Sequence, residues 1–288
     1  MNKQLKNILA LIIILSFQVV IYVIFFHPFL IKWGASSEET TMLMPGDKYS
    51  QSISSTRSVN IRNNSKVVWG YLADLGADRR GYYSYDFLEK MYGCKMAKVI
   101  KEKERSIYPG RIIPFDSSGK NNEGFKVLEV EQGKSFVLEN WGSFMVKKID
   151  SNYTRLIVRT NESKAQNIYM KLKNSVFDAM HYVMERRMML GIKDIAEGNN
   201  NYNPLNDIIW LLCIFISGLS GIIMVFIIQG VSKYLYASVF FIVWQYVFLV
   251  PDPLAVYGLL LIMVVCAEYT LSRYLLFKKN KVQLHFKN

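Results

Sequence analysis

The residues best suited to chemistry fall in one polar loop and along one helical row. Asp78, Arg79 and Arg80 stand directly before Tyr82, Tyr83 and Tyr85. An arginine at such a place can grip an anionic group with two parallel hydrogen bonds. A tyrosine brings an apolar ring and a hydroxyl that needs a partner once buried. Arg79, Tyr83 and Tyr85 are therefore candidates for the mouth of a ligand pocket. They can equally be structural, with Asp78 pairing with Arg79 to hold the loop and the rings packed in a core. Further along, Met180, Met184 and Met188 recur every four residues. Methionine adapts to irregular ligands, and it also fills ordinary helix–sheet cores. Arg159 shares a strand face with Ile157, where a charge requires a carboxylate or a ligand anion. Trp141 lies on a hairpin that can border a cavity, whereas Trp69 reads as core. Glu185 with Arg186 or Arg187 reads as a solvated or salt-bridged face.

Familiar catalytic patterns are missing. No His, Cys and Asp cluster has the spacing of metal ligands. His181 is the one histidine between positions 34 and 206, and His27 and His285 lie beside apolar blocks. Cys94 has no cysteine near it, and Cys213 and Cys266 fall inside apolar runs. There is no Gly-rich phosphate loop, no serine elbow and no Cys–His signature. These patterns imply no metal, no cofactor and no familiar catalytic class. An enzyme acting on a lipid-like substrate through polar pocket groups stays open as an alternative.

The candidates must be positioned by elements readable from periodicity. Arg57–Arg62 alternates as a short strand. Asn63-Asn64-Ser65 can cap a helix over Lys66–Leu75, and a second short helix covers Ser84–Tyr92. Strands follow at Gly110–Phe115, Gly124–Val130, Ser135–Glu139, Ser143–Ile149 and Thr154–Thr160, joined by hairpin signals. From Asn167 to Ala196 the period changes to three and four residues. That helix is about 45 Å long at 1.5 Å per residue. Strands in series followed by a long helix give an α+β domain in which an antiparallel sheet curls around the helix, often leaving an apolar cavity.

The chain has 288 residues, 51% of them hydrophobic, yet its net charge is +12. Disorder is excluded by the hydrophobicity, and three cysteines make no disulfide framework. The apolar residues sit in blocks. Ile8–Phe26, Ile208–Gln229, Tyr234–Val250 and Leu254–Phe277 each approach the length needed to cross a bilayer. No cleavage site follows the first, so it reads as an anchor rather than a signal peptide. Basic residues flank these runs in a consistent way. Lys3, Lys6, Lys233, Arg273, Lys278, Lys279, Lys281 and Lys287 all fall on one side if four helices cross with the amino terminus inside. The basic excess is then largely topological, and a nucleic-acid partner is disfavoured. Glu268 is the one carboxylate within a run, a functional candidate by default, with Gln245 a possible partner. The segments are 1–33 as cytoplasmic start and first span, 34–56 as a tether and 57–198 as the folded domain. A linker at 199–206, three spans over 207–277 and a basic cytoplasmic tail at 278–288 complete the chain.

Certain residues of the domain also carry a resemblance. Trp69–Leu72, the run Gly76-Ala77-Asp78-Arg79-Arg80-Gly81-Tyr82-Tyr83-Ser84-Tyr85-Asp86, then Leu88-Glu89 and Gly93, resemble a bacterial membrane-anchored branch of the START-like (SRPBCC) superfamily. Thr154–Arg159 and Met184–Lys193 agree with it. The likeness covers residues 57–198. Arg80 stands where a second glycine is expected, and Gly70 where relatives often have proline. The resemblance implies a helix-grip fold with an internal pocket for lipids, sterols or polyketides. The expectation is a multi-pass protein of a bacterial plasma membrane, with both termini cytoplasmic and its START-like domain extracytoplasmic. It would bind a lipid or other apolar ligand, with Arg79, Tyr83, Tyr85, Trp141, Arg159, Met180, Met184 and Met188 around it. The alternative is an interaction or sensing module, with a protein partner reached through the last three spans.

Overall fold

The computed structural model describes residues 2–50, 52–91, 106–117, 123–162, 167–199, 204–228 and 232–285. Gly93 and Cys94, named above, lie outside the described residues. Along the chain the helices are α1 (Lys3–Ile21), α2 (His27–Leu30), α3 (Ser37–Thr41), α4 (Ser65–Ala73), α5 (Asp86–Met91), α6 (Ile168–Ala196), α7 (Pro204–Ile227), α8 (Ser232–Leu249) and α9 (Ala255–His285). The strands are β1 (Ser52–Ile61), β2 (Ile112–Pro114), β3 (Gly124–Glu131), β4 (Ser135–Leu138), β5 (Gly142–Lys148) and β6 (Thr154–Glu162). The protein is α+β, and it divides into two compact units, Met1–Phe26 with Asn203–Asn288, and His27–Tyr202.

The first unit is helical. Among the described residues three helices are long and apolar enough to cross a membrane, Lys3–Leu30, Pro204–Ile227 and Ala255–Tyr274. The first of these counts α1, a π-helical turn at Tyr22–Phe26 and α2 as one stretch. α8 has 18 residues and carries buried Lys233 and Gln245. Its polar side chains are satisfied by α1. Gln245 Nε2 donates to Gln18 Oε1 at 2.7 Å, and Gln18 Nε2 donates to the Ser238 carbonyl at 3.1 Å. Near the other end Lys233 Nζ donates to Asn7 Oδ1 at 2.8 Å and to the Val225 carbonyl at 2.6 Å. Hydrogen bonds of this kind hold apolar helices in one register, because an unpaired polar group in hydrocarbon is costly. Gln245 is thus engaged by Gln18, not by Glu268.

The second unit is built on a six-stranded antiparallel sheet in the order β1-β6-β5-β4-β3-β2. Hairpins join neighbours from β3 to β6, and the first strand returns beside the last. On β6, Leu156 and Val158 face the core, while Arg155, Ile157 and Arg159 face the opposite side. On β1, Val59 and Ile61 face the core, and Arg57 lies in phase with them. α6 packs on that core through Met188, Met189 and Ile192. Asn167 caps its start, Oδ1 accepting from the Met170 amide at 2.8 Å. Asn64 does the same for α4, accepting from the Val67 amide at 3.0 Å. The edge of β1 is covered by the chain leaving α2, where the Ile31 and Trp33 carbonyls accept from the Thr56 and Ser58 amides. A covered edge offers no template for pairing with another chain.

The stretch 34–56, read from its Ser, Thr and Glu content as a tether, is folded. It holds α3, a 3-10 turn at Pro45–Tyr49 and the first residues of β1. Ser36 and Glu39 form a reciprocal capping box. The segment lies on the sheet face opposite α6 and is fastened there by two arginines. Arg155 Nε and Nη2 donate to the two oxygens of Glu39 at 2.8 and 2.7 Å. Arg159 donates to the Glu39 and Met42 carbonyls and to Asp47 Oδ2, each at 2.7 Å.

Candidate functional site

Between α6 and the sheet the described residues form an apolar core. Trp141, Phe136, Phe144, Val158, Met188 and Met189 are all buried there. Trp141 and Phe144 meet edge to face at 5.1 Å, and Phe136 stacks on Phe144 at 4.9 Å. Where the aromatic cluster ends, a charged network begins. Glu185 sits on the inward face of α6 and is 1% exposed. Its Oε1 accepts from Arg57 Nη1 at 2.8 Å. Its Oε2 accepts from Trp141 Nε1 at 2.9 Å and from Thr160 Oγ1 at 3.1 Å. Arg57 Nε donates to the Leu30 carbonyl at 2.8 Å, and its guanidinium lies over the Tyr182 ring, as does that of Arg186. Burial alone would push the Glu185 carboxyl up; the Arg57 charge and these hydrogen bonds outweigh it and hold it low. His181 lies beside Glu185 at 3.7 Å and between the Trp141 and Phe177 rings. Burial holds its imidazole below the usual value, against the pull of the Glu185 charge.

This network was not expected. Glu185, Arg186 and Arg187 read as a solvated or salt-bridged face; Glu185 and Arg187 do form ion pairs, with Arg57 and Asp194, but all three residues are buried. One signal was available. Arg57 alternates in phase with Val59 and Ile61, so a cation was bound for the core face and required an internal carboxylate.

A cavity of about 270 Å³ lies on another side of α6, against the turn after the Asp78 loop. Its walls are Arg80, Tyr83, Ser84, Arg187, Asp194 and Ile195. α6 comes close to this turn because of Gly191. A Cβ there would lie 2.3 Å from the Tyr83 carbonyl oxygen. Ser84 Oγ donates to the Met184 carbonyl at 3.1 Å and pins the turn to the helix. Tyr83 has φ +54°, a left-handed conformation that costs a non-glycine residue about 1–3 kcal/mol. Its hydroxyl donates to the Tyr71 carbonyl at 2.9 Å. Burial pushes that hydroxyl well above its usual range, so it stays protonated as a donor.

The candidate residues therefore separate. Tyr83 lines the cavity, but Arg79 does not. Arg79 is buried and staples its loop, donating to the Ala73 and Ser106 carbonyls at 2.7 and 3.1 Å. Its neighbour Arg80 reaches the cavity instead. Tyr85 is fully buried against Phe87. Trp141 is a core residue bonded to Glu185. Arg159 points away from α6 and fastens the 39–47 segment. The methionine row splits, with Met180 68% exposed, Met184 half-buried and Met188 in the core. These three share no surface, because a four-residue step drifts by about 40° at each turn. Glu268 is half-exposed on α9. No group of His, Cys, Asp and Glu among the described residues is placed to hold a metal ion. No family model, curated protein or solved structure matches the chain.

Proposed function

We propose that this chain is a membrane-anchored protein whose α+β unit binds an amphipathic, lipid-like ligand. The observation that carries the reading is the cavity at Tyr83. It brings Tyr83 and Ile195 together with Arg80, Arg187 and Asp194, on a chain with three helices among the described residues long and apolar enough to cross a membrane. About 270 Å³ is some nine water volumes at ~30 Å³ each. That is room for a polar head and a few carbons, with any longer chain left outside.

A START-like helix-grip arrangement is part of the same proposal. It is supported by the antiparallel sheet with first and last strands adjacent, and by the long helix packed on it. The cavity at Tyr83 is walled by α6 and the turn after the Asp78 loop, with no strand residue in its lining. We further propose four crossings, with α8 as the third, the amino terminus inside and the α+β unit outside a bacterial plasma membrane. The side-consistent basic residues support this topology.

Extraction of lipid from the full chain purified in mild detergent, followed by mass spectrometry, tests the ligand. A stoichiometric amphiphile that disappears with Ile195→Trp is the expected result; no bound amphiphile would refute the reading. Thiol labelling of Lys287→Cys and Lys126→Cys in intact cells, each in a background with Cys94, Cys213 and Cys266 changed to serine, tests the topology, which requires only the second to react with an impermeant reagent.

A second reading, a membrane-tethered interaction module, is favoured by the start of α6. Ile168, Tyr169 and Phe177 are 87%, 72% and 66% exposed there. A stoichiometric protein co-purifying from native membranes, without a lipid, would support that reading instead.

A further inference from the structure

The first turns of α6 present an apolar surface on the outside of the α+β unit. Ile168, Tyr169, Leu172, Phe177 and Met180 are all exposed. At about 100° per residue they occupy one half of the helix circumference. The other half carries Asp178, Tyr182, Glu185 and Met189, all buried. Further along, the outward side is covered by the turn at Tyr83, which meets Gly191. An exposed apolar patch of this kind marks an interaction surface. Position and charge both point to lipid as what covers it. α2 is the last turn of the apolar stretch Lys3–Leu30. It packs on α6, where His27 Nε2 lies 3.1 Å from Asp178 Oδ2. After α2 the chain runs parallel to β1, the Ile31 carbonyl accepting from Thr56 and the Trp33 carbonyl from Ser58. α6 runs the other way. Ser54 Oγ donates to Asp178 Oδ1 at 2.8 Å, and Asn63 Nδ2, at the far end of β1, donates to the Ala196 carbonyl at 2.6 Å. The residues of α6 before Asp178 therefore reach about 15 Å back past α2, opposite to the path the chain takes into the sheet. The same segment, 168–177, carries exposed Lys171 and Lys173 and no acid.

We propose that residues 168–180 of α6 lie in the headgroup layer of the bilayer at the end of the first span, with their apolar half turned to the acyl chains and Lys171 and Lys173 at anionic phosphates. This rests on the reading that Lys3–Leu30 crosses the membrane. Tyrosine is favoured at headgroup level, and lysine stems lie along apolar surface while their ammonium groups stay in the polar layer. Anionic lipid attracts basic residues held at its surface. A span and an interfacial helix give the α+β unit two attachments, which keep it against the bilayer that would supply an amphipathic ligand.

The test uses the full chain, with Cys94, Cys213 and Cys266 changed to serine, in nanodiscs of phosphatidylcholine and phosphatidylglycerol in equal parts. A fluorophore is attached at Leu172→Cys, at Lys66→Cys or at Ile13→Cys, and lipids bearing a nitroxide on the acyl chain quench it on contact. Lys66 is exposed at the start of α4, beside the far end of α6, and Ile13 is exposed within the first span. The label at Leu172 should be quenched at least about twofold more than that at Lys66, as an interfacial helix requires. Lys171→Glu with Lys173→Glu should lower that quenching, since it replaces attraction to the anionic surface by repulsion. Quenching at Leu172 no greater than at Lys66, with the Ile13 label quenched, overturns the interfacial helix and leaves the span standing. An unquenched Ile13 label overturns the span as well. A Leu172 label untouched by the nitroxide lipid that crosslinks to a second protein in native membranes overturns the lipid assignment and gives this face to a protein partner.

Discussion

Arg57 and Glu185 meet at 2.8 Å with neither side chain exposed to solvent. One belongs to the first strand of the sheet and the other to its covering helix, so the pair fixes how α6 is seated on β1. Removing one partner of a buried pair leaves an uncompensated charge and costs about 3–5 kcal/mol. Glu185→Gln should therefore destabilise the α+β unit strongly. The double change Arg57→Met with Glu185→Leu should recover much of the loss. Urea titration of the detergent-solubilised chain, read by Trp141 fluorescence, would show this as a non-additive cycle.

Two helical glycines should respond in opposite directions to alanine. Gly191 has the Tyr83 carbonyl oxygen 2.3 Å from where a Cβ would sit, and that neighbour is backbone. Gly191→Ala must push α6 away from the turn, at about 1–3 kcal/mol, and distort the cavity. Gly70 on α4 has nothing within 4 Å of the same point. Gly70→Ala should stabilise by about 0.5–1 kcal/mol, since alanine loses less backbone freedom in a helix. Thermal unfolding of the two variants side by side checks both signs.

Much of this architecture could be read from residue patterns, and what could not has identifiable causes. Alternation and turn residues located β3 to β6, and the change of period located α6. β1 begins at Ser52 rather than Arg57, because a register shift between Ile53 and Ser55 breaks the alternation that would have revealed it. The polar stretch 34–49 has the composition of a linker, yet Ser36 and Glu39 carry the three-residue spacing of a capping box. Its seat on the sheet depends on Arg155 and Arg159, more than a hundred residues away. The cavity depends on a glycine in one element meeting a left-handed tyrosine in another. Pattern within either element is silent about that meeting.

Acid should loosen the 34–49 segment before pH reaches the lower limit of carboxylate titration. Glu39 is drawn from its usual 4.5 to about 2; burial opposes the change, and Arg155, the Ser36 amide and Ser58 outweigh it. A carboxyl held low in the folded state stabilises fully above about pH 4.5, and that contribution disappears as pH falls through 2. Stability measured from pH 6 to pH 2 should fall more steeply in the native chain than in Glu39→Gln. Equal slopes would mean that the Arg155 contact contributes nothing in solution.

Arg159 gives the sharpest contrast between a ligand contact and a fastening. Its guanidinium is fully buried and donates to Thr56 Oγ1, the Glu39 and Met42 carbonyls and Asp47. All of these lie on the side of the sheet away from α6. Arg159→Met keeps an unbranched apolar stem and removes every donor. The carboxylate of Asp47 and two backbone carbonyls then lose their partners, so residues 39–47 should separate from the sheet. Hydrogen exchange should rise at the amides of that segment while those of α6 stay protected. Binding at the Tyr83 cavity should change less than about twofold, because no donor of Arg159 reaches it. A loss of binding with normal protection at 39–47 would place Arg159 in the ligand site after all.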